Sequence, residues 1–217
     1  MAKVIIFGTL DSAELAHFYL TRDTDHEVVA FTVTEEYLGE DSFVGLPVLP
    51  FESLESVYSP QQVSLFAPMT AKGMNTHRQT VFQNIKDKGY AMISYISSKA
   101  SVFNNQIGEN CFILEDNTIQ PFVSIGDNVV LWSGNHLGHH SQVNSHVFFT
   151  SQVVLSGHCK VGENAFFGVN SCIRDAVTVG EGGFIAMGAV VTGDTEPWSV
   201  YKGNPAQKMR IPSKKVL

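Results

Sequence analysis

A six-residue repeat occupies most of the second half of the chain and constrains its fold more than any other feature. From Gln106 to Thr195 the sequence divides into fifteen consecutive blocks of six residues, without an insertion or a deletion. Neither an α-helix nor a heptad pattern can keep a step of six over that length, so the repeat predicts a solenoid of stacked coils. The second position of every block is large and apolar: Ile107, Ile113, Ile119, Ile125, Leu131, Leu137, Val143, Phe149, Leu155, Val161, Phe167, Ile173, Val179, Ile185 and Val191.

This period is typical of the hexapeptide repeat of left-handed parallel β-helices, in which three blocks form one triangular coil of 18 residues. Fifteen blocks then predict five coils, stacked about 4.8 Å apart, each filling its interior with one apolar side chain per wall. The left hand is a property of that family, since the general crossover rule favours the right. Six blocks carry glycine at the third position, where it is expected to permit a tight corner: Gly108, Gly126, Gly138, Gly162, Gly168 and Gly180.

The first half alternates β-rich runs with amphipathic segments, which predicts a Rossmann-like α/β unit with a parallel sheet. Strands are predicted at residues 3–7, 27–33, 45–49, 63–67 and 91–96, and helices at 11–20, 52–58 and 74–88. The predicted organisation is an α/β domain over residues 1–98, a β-helix over 99–196 and a C-terminal tail over 197–217.

Composition excludes several functional classes. An apolar fraction of 44% and a charged fraction of 16% predict a packed core. The net charge is −7, whereas nucleic-acid binding needs a basic face. No apolar run is long enough for a membrane-spanning helix, and the run at residues 4–7 is too short for a secretory signal. The three cysteines form no C-x-x-C pair, so we expect buried thiols in a reducing cytoplasm rather than disulfides or a thiolate zinc site.

The turn after the first predicted strand is the place where a sheet of this kind would bind a ligand. It reads Gly8-Thr9-Leu10-Asp11, with Leu10 where a dinucleotide-binding G-x-G-x-x-G motif has its second glycine. An NAD site is therefore not expected. A site for a different nucleotide and a purely structural turn both stay open.

Five of the eight histidines fall in one short stretch of the repeat: His136, His139, His140, His146 and His158. A step of 18 residues places His158 above His140 and Gly157 above His139. Asp175 lies two coils above His139, at an expected distance of about 9–10 Å that is too long for contact. Three interpretations compete, namely general-base catalysis by a neutral imidazole, metal ligation and structural packing between subunits.

The α/β unit followed by unbroken coils resembles the bacterial hexapeptide-repeat sugar acyltransferases. The nearest branches are the bacillosamine-type UDP-amino-sugar N-acetyltransferases and the sialic-acid O-acetyltransferases. Their motif N-V-x-x-x-x-G-x-x-x-E-H-D aligns without gaps on Asn128-Val129, Gly134 and Gly138-His139-His140. The resemblance implies direct acyl transfer from acetyl-CoA to a nucleotide-linked sugar. His139 would be the general base, and the Gly157 N–H would face the oxyanion.

The same resemblance implies a homotrimer with CoA in the groove between adjacent β-helices. The C-terminal sequence from Tyr201 to Ala206 is similar to the G-N-P-A turn of the family, and Lys202 would meet a CoA phosphate. Phe148 stands where the family has a second pocket histidine. The implied CoA-binding residues are Phe148, Gly157, Gly168, Val169, Ala186, Met187, Gly188, Lys202 and Pro205.

The chain departs from the family pattern in several places. His140 replaces the acidic residue that often follows the base, so the group that orients His139 stays open among Asn135, a backbone carbonyl and a neighbouring subunit. His136 and His140 are the next candidates for the base. The candidate sugar-nucleotide residues, expected near the carboxyl edge of the sheet in the first domain, are Gly8, Thr9, Leu10, Thr34, Glu35, Asn75 and Arg78.

The sequence thus predicts a cytoplasmic acetyltransferase of surface-polysaccharide biosynthesis that needs no metal and binds neither nucleic acid nor membrane. N-acetylation is preferred over O-acetylation from the resemblance alone. Two other classes stay open. One is a β-helix metalloenzyme of the carbonic-anhydrase type, whose histidines bind zinc on a trimer face, and the other is a non-catalytic scaffold.

Overall fold

A computed structural model describes residues 2–217, which form two compact units. The first unit runs to Thr70 and resumes over Thr80–Ser94, and the second comprises Ala71–Gln79 and Tyr95–Leu217. The short segment Ala71–Gln79 therefore groups with the β-helix, although the sequence placed it in the α/β domain. Within these residues neither helix has the length and apolar character needed to cross a bilayer.

The first unit contains a five-stranded sheet, parallel except for one edge strand, whose strands follow the order Ser42–Phe43, Leu46–Pro50, Glu27–Val33, Lys3–Phe7 and Ser64–Phe66. The strand Lys3–Phe7, which is paired on both sides, is apolar on both faces, with Val4, Ile5 and Ile6 fully buried, as is typical of a covered parallel sheet. The elements are β1 (Lys3–Phe7), α1 (Asp11–Asp23), β2 (Glu27–Val33), β3 (Ser42–Phe43), β4 (Leu46–Pro50), β5 (Ser64–Phe66) and α2 (Thr76–Asp87), with short 3₁₀ helices at Glu35–Tyr37 and Phe51–Ser56.

The predicted strand at residues 91–96 is wrong as a single element. Met92 makes one isolated bridge to Leu65 in the first unit. Tyr95–Ile96 instead pairs with Phe112–Ile113 and begins the β-helix. An apolar run can pair with a strand of either unit. The local sequence pattern therefore does not show that the run contributes to both units.

The second unit is a left-handed parallel β-helix with three walls. The first wall contains β6 (Tyr95–Ile96), β9 (Phe112–Ile113), β12 (Val130–Leu131), β15 (Phe148–Phe149), β18 (Phe166–Phe167), β21 (Phe184–Ile185), β23 (Ser199–Lys202) and the antiparallel β24 (Gln207–Pro212). The second wall contains β7 (Ser101–Val102), β10 (Thr118–Ile119), β13 (His136–Leu137), β16 (Val154–Leu155), β19 (Cys172–Ile173) and β22 (Val190–Val191). The third wall contains β8 (Gln106–Ile107), β11 (Ser124–Ile125), β14 (Gln142–Val143), β17 (Lys160–Val161) and β20 (Thr178–Val179).

The step of 18 residues per coil is confirmed by the strand register, which pairs His136 with Thr118 below and with Val154 above. The second-position residues form one continuous core along the axis of the β-helix, and only Ile107 among them is partly exposed. The β-helix starts before the regular repeat does. Tyr95 pairs with Phe112 and Ser101 with Thr118, so its first coil is one residue short.

The corners are built differently from the sequence-based expectation. The left-handed residue is the fifth of every block except the last, and a positive φ occurs at every sixth position from Asn104 to Gly188. The third-position glycines have no positive φ. Their role is clearance, since a Cβ on Gly138 would lie 2.5 Å from the Gly157 nitrogen, and one on Gly168 would lie 2.4 Å from that of Met187. Glycine is required there because the backbone of the next coil occupies the space of a side chain.

Candidate active site

Three exposed imidazoles meet at the corner between the second and third walls. His139 and His140 follow β13, and His158 lies one coil above them. Their ring nitrogens come within 4.8 Å of one another, close enough for all three to approach one metal ion after small rotations. The centroid of His139 lies 5.0 Å from that of His158, with the two rings nearly perpendicular.

His139 is held at two points. Its backbone N–H donates to Oε1 of Gln120 over 2.9 Å, and its Nδ1 lies 3.1 Å from Nδ1 of His140. One of the two rings must donate the proton in this bond, because two imidazole lone pairs cannot bond to each other. When His139 donates, its Nε2 carries a lone pair and is available as a base.

An aromatic column supports His140. Phe122, His140 and His158 each occupy a left-handed corner position, one coil apart, so their side chains project in the same direction. The centroid of His140 lies 4.7 Å from that of Phe122 and 5.0 Å from that of His158, and the two imidazoles are stacked. Ring stacking thereby restrains His140 even though it is exposed to solvent.

Gly157 separates His139 from Asp175. A Cβ on Gly157 would lie 2.9 Å from Cε1 and 3.1 Å from Nε2 of His139, and 3.0 Å from Oδ1 of Asp175. The expected separation of 9–10 Å between His139 and Asp175 is therefore wrong for their functional atoms. The backbones are two coils apart, but both side chains lean into the gap that the glycine leaves.

The Gly157 N–H is a free donor beside this gap. The neighbouring amides bond along the coils, with Ser156 N–H donating to the Ile173 carbonyl and His158 N–H donating to the His139 carbonyl. No acceptor among residues 2–217 takes the Gly157 N–H. An amide without an acceptor, next to a candidate base, can stabilise a developing oxyanion.

Two other residues predicted for catalysis lie outside this cluster. Asn135 is 1% exposed and belongs to an internal ladder, where it accepts from the Val153 N–H while its own N–H donates to Asn117. It does not orient His139. His136 lies half-buried on the second wall, one strand position before the inward-facing Leu137.

Asn75 and Arg78 were expected at the edge of the sheet in the first domain, and the structure places them against the coils of the second unit. Both are buried: Asn75 donates to the carbonyls of Asn164 and Ala165, and Arg78 donates to Oδ1 of Asn128 over 3.0 Å. Burial without a carboxylate partner lowers the pKa of Arg78 to about 9. These contacts make both residues structural parts of the second unit.

A buried histidine completes this network. The Nδ1 of His146 accepts from Nδ2 of Asn128 over 2.9 Å, while the same amide group donates to the Arg78 carbonyl. Burial, followed by the charge of Arg78, lowers the pKa of His146 to about 4, and Asp127 opposes this shift. His146 is therefore neutral at physiological pH.

Most of the residues predicted for CoA lie at another corner, between the first and second walls, whereas Gly157 lies beside His139. The Gly188 N–H donates to the Val169 carbonyl, and Met187 is 76% exposed beside them. The C-terminal strand joins this corner, because the Ala186 N–H donates to the Tyr201 carbonyl and so places Lys202 nearby. Pro205 follows in the turn before β24. Phe148 is elsewhere, buried on the first wall, where it stacks on Phe166.

A pocket of about 290 Å³ lies at the carboxyl ends of β1 and β2 in the first unit. Among the predicted sugar-nucleotide residues only Thr9 lines it. Gly8 and Leu10 flank Thr9 in the βα turn, where Leu10 is 78% exposed. Thr34 precedes the short 3₁₀ helix, and the Glu35 N–H donates to Glu52. The lining residues are Thr9, Tyr37, Gly39, Glu40, Ser42, Phe43 and Val48.

Three residues beside the corner formed by His139, His140 and His158, here called the histidine corner, were not predicted. They are Gln120, Phe122 and Asp175. The step of 18 residues would have placed Phe122 beneath His140. It would not have found Gln120, which lies 19 residues before His139. The coil count excludes Asp175, because it measures the separation of backbones and not the direction in which side chains point.

Comparison with known proteins agrees with this architecture. A family model described as bacterial transferase hexapeptide (six repeats) matches residues 106–139, and one described as the hexapeptide repeat of succinyl-transferase matches residues 159–193. No curated protein sequence gives a significant match. Both models fall within the β-helix and together leave the first unit unmatched.

Solved structures extend the similarity to nearly the whole chain. Perosamine N-acetyltransferase (PerB) from Caulobacter crescentus, in complex with CoA and GDP-perosamine, has 23% sequence identity and a TM-score of 0.84, covering 96% of this chain and 98% of that one. The acetyltransferase domain of PglB from Neisseria gonorrhoeae, in complex with acetyl coenzyme A, has 22% identity and a TM-score of 0.82, covering 96% and 99%. WeeI from Acinetobacter baumannii has 17% identity and a TM-score of 0.79, covering 96% and 100%.

The repeats and the three-walled coil define this protein as a left-handed β-helix built from hexapeptide repeats. Over 96% of the chain, its fold is similar to that of perosamine N-acetyltransferase and to that of the acetyltransferase domain of PglB.

Proposed function

We propose that this protein transfers an acetyl group from acetyl-CoA to the amino group of a nucleotide-linked sugar, with His139 as the general base. The observation that carries the proposal is the placement of the His139 imidazole beside the Gly157 amide, which has no acceptor in the described chain. A base and an oxyanion donor at one exposed corner are the two groups that direct acyl transfer requires.

The reaction would have two steps, attack of the amine on the thioester and then breakage of the C–S bond. The amine attacks the thioester carbonyl carbon while Nε2 of His139 accepts a proton from the nitrogen. The Gly157 N–H stabilises the oxyanion that forms. The C–S bond then breaks, and the proton passes from His139 to the departing sulfur. Cys111 and Cys159 are buried, which argues against a covalent acyl-enzyme on either thiol.

Each substrate has a candidate surface. The exposed backbone corner around Val169 and Met187, with Lys202 nearby, would bind CoA, the lysine meeting a phosphate group. The pocket beside Thr9, with the aromatic rings of Tyr37 and Phe43, suits a nucleotide base. PerB is described bound to CoA and GDP-perosamine, which supports these two ligand classes. The trimeric assembly and cytoplasmic location expected from the sequence belong to the same proposal.

The test is thiol release from acetyl-CoA with a panel of UDP-, dTDP- and GDP-linked amino sugars. We expect turnover with one of them, and a loss of about 10²- to 10⁴-fold in kcat for His139→Asn. Because His139 is exposed, thermal unfolding should be unchanged. His17→Asn, a half-buried histidine of the first unit, is the control. Near-wild-type turnover by His139→Asn would overturn the assignment of the base, and wild-type protein inactive with every sugar would overturn the function.

A metalloenzyme is the second candidate, and the close approach of His139, His140 and His158 favours it. Metal analysis of the same protein sample separates the two functions. Stoichiometric zinc in protein that does not bind CoA would favour the metalloenzyme. Turnover that survives treatment with a chelator would favour the transferase.

A further inference from the structure

We infer that Asp175 is a substrate-binding residue that holds the acceptor amine opposite His139 and so selects an amine over a hydroxyl. The inference rests on the proposed function and assigns a role to a residue that belongs to no motif of the repeat. It starts from the gap above Gly157, into which two side chains from different coils lean.

The gap has the size of one small group. Nε2 of His139 and Oδ1 of Asp175 each lie about 3 Å from the point that a Gly157 Cβ would occupy, so the two atoms are at most about 6 Å apart. They form no ion pair with each other, and no hydrogen bond within the described chain occupies either atom. Two acceptors therefore face a space that neither of them fills.

A nitrogen that donates to both atoms fits this spacing. With two hydrogen bonds of about 2.8 Å at a tetrahedral angle, the two acceptors stand about 4.6 Å apart. An ionised carboxylate only accepts, and Nε2 of a neutral imidazole that donates through Nδ1 also accepts. The group between them must supply two N–H or O–H donors from one atom.

A primary amine meets that requirement and a hydroxyl does not. The amine directs one N–H to His139 and the other to Asp175, and its lone pair is left free to attack the thioester. A hydroxyl has one hydrogen, so a lone pair of its oxygen would face the carboxylate without a proton between them. The arrangement therefore favours N-acetylation on geometric grounds that are independent of family resemblance.

Charge acts in the same direction. A sugar amine arrives partly as an ammonium ion, which an exposed carboxylate attracts and orients. Attack forms the N–C bond and places positive charge on the nitrogen until His139 removes a proton from it. Asp175 stabilises that charge without accepting the proton, which leaves through His139 to the sulfur of CoA as the C–S bond breaks.

The repeat itself does not require the glycine that opens this gap. The fourth position of the other blocks from Glu109 to Met187 always carries a side chain, and Gly157 has no positive φ. The backbone conformation therefore does not require a glycine at position 157, between His139 and Asp175. The need for space for a bound group accounts for it.

The experiment compares Asp175→Ala and Asp175→Asn with Glu163→Gln, an exposed acid at the same block position elsewhere on the β-helix. Steady-state kinetics are measured with an amino sugar nucleotide and with its hydroxyl analogue, and acetyl-CoA binding is measured by calorimetry. We expect kcat/KM for the amine to fall about 10- to 100-fold in Asp175→Ala, the size of one lost hydrogen bond to a charged group. The preference for amine over hydroxyl should fall by a similar factor, while acetyl-CoA affinity and the control stay unchanged.

The outcomes separate the two proposals. If wild-type protein turns over and Asp175→Ala keeps both its kcat/KM and its amine preference, the role of Asp175 is refuted and the proposed function stands. If wild-type protein releases no thiol with any sugar, the proposed function itself fails. A uniform loss on both acceptors, with weaker acetyl-CoA binding, would assign Asp175 to the structure of the corner and overturn the inference.

Discussion

The Nδ1 atoms of His139 and His140 lie 3.1 Å apart, and a single proton must join them. In the tautomer that leaves a lone pair on Nε2 of His139, His140 is the acceptor, at the position where the family that the sequence resembles often has an acidic residue. A neutral acceptor orients His139, the proposed base, without adding negative charge next to it. Negative charge near His139 comes instead from Asp175, on the other side of the gap that Gly157 leaves.

Replacing His140 should lower the rate by removing the partner of His139. His140→Asn keeps a residue that tolerates the left-handed φ of 59° but removes the imidazole, so we expect kcat to fall about 3- to 10-fold. His140→Asp supplies a carboxylate that can accept the proton of Nδ1 of His139, so it should retain more of the wild-type kcat than His140→Asn. Steady-state kinetics of both variants and wild type provide the measurement. Equal kcat in all three would show that His140 does not position His139.

The third-position glycines should be intolerant of any side chain. A Cβ on Gly162 would lie 2.5 Å from the backbone nitrogen of Glu181, so Gly162→Ala should force the coils apart and destabilise the protein by about 1–3 kcal/mol. Gly193→Ala is the matched control, since nothing lies within 4 Å of its added methyl group and its φ is not positive. Urea denaturation of both variants measures the difference. Equal midpoints would contradict the clearance argument.

Stability should fall in mild acid because of His146. Its folded pKa of about 4 is lower than its ordinary value of 6.5, so the unfolded chain binds the proton more readily. The free energy of unfolding should therefore decrease as pH falls from about 6.5 to about 4, by an amount on the order of 3 kcal/mol. His146→Asn retains a residue suited to the positive φ and should flatten this part of the pH profile. A variant profile as steep as that of wild type would locate the effect in another group.

If the proposed reaction is right, zinc should inhibit thiol release by occupying the imidazoles of His139, His140 and His158. Tetrahedral zinc holds its nitrogen ligands about 3.3 Å apart, close to the 3.1 Å between His139 and His140, and His158 offers a third ligand. Inhibition by micromolar Zn²⁺ should be relieved by a chelator and weakened in His158→Gln, with calorimetry reporting the loss of affinity. Inhibition of equal strength in that variant would place the metal elsewhere.

Much of the fold follows from local pattern. The position of a residue within its hexapeptide determines whether its side chain points into the core. The period alone therefore predicts the three walls, the 18-residue step and the stacking of His158 on His140. The same step placed Gly157 over His139. The α/β unit was also readable, because its strands are apolar runs bounded by turn residues. The exception was the run at residues 91–96, which contacts different partners at its two ends.

Only the tertiary structure decided the details on which chemistry depends. Counting coils gave the distance between the backbones of His139 and Asp175, yet their side chains approach because the residue between them has no Cβ. Arg78 looked like a surface residue of the first domain until long-range packing buried it against Asn128. The sequence by itself determined which residues repeat and therefore which columns they share. The orientation of each side chain and the residues that it contacts depend on packing between segments distant in sequence, which a local pattern does not predict.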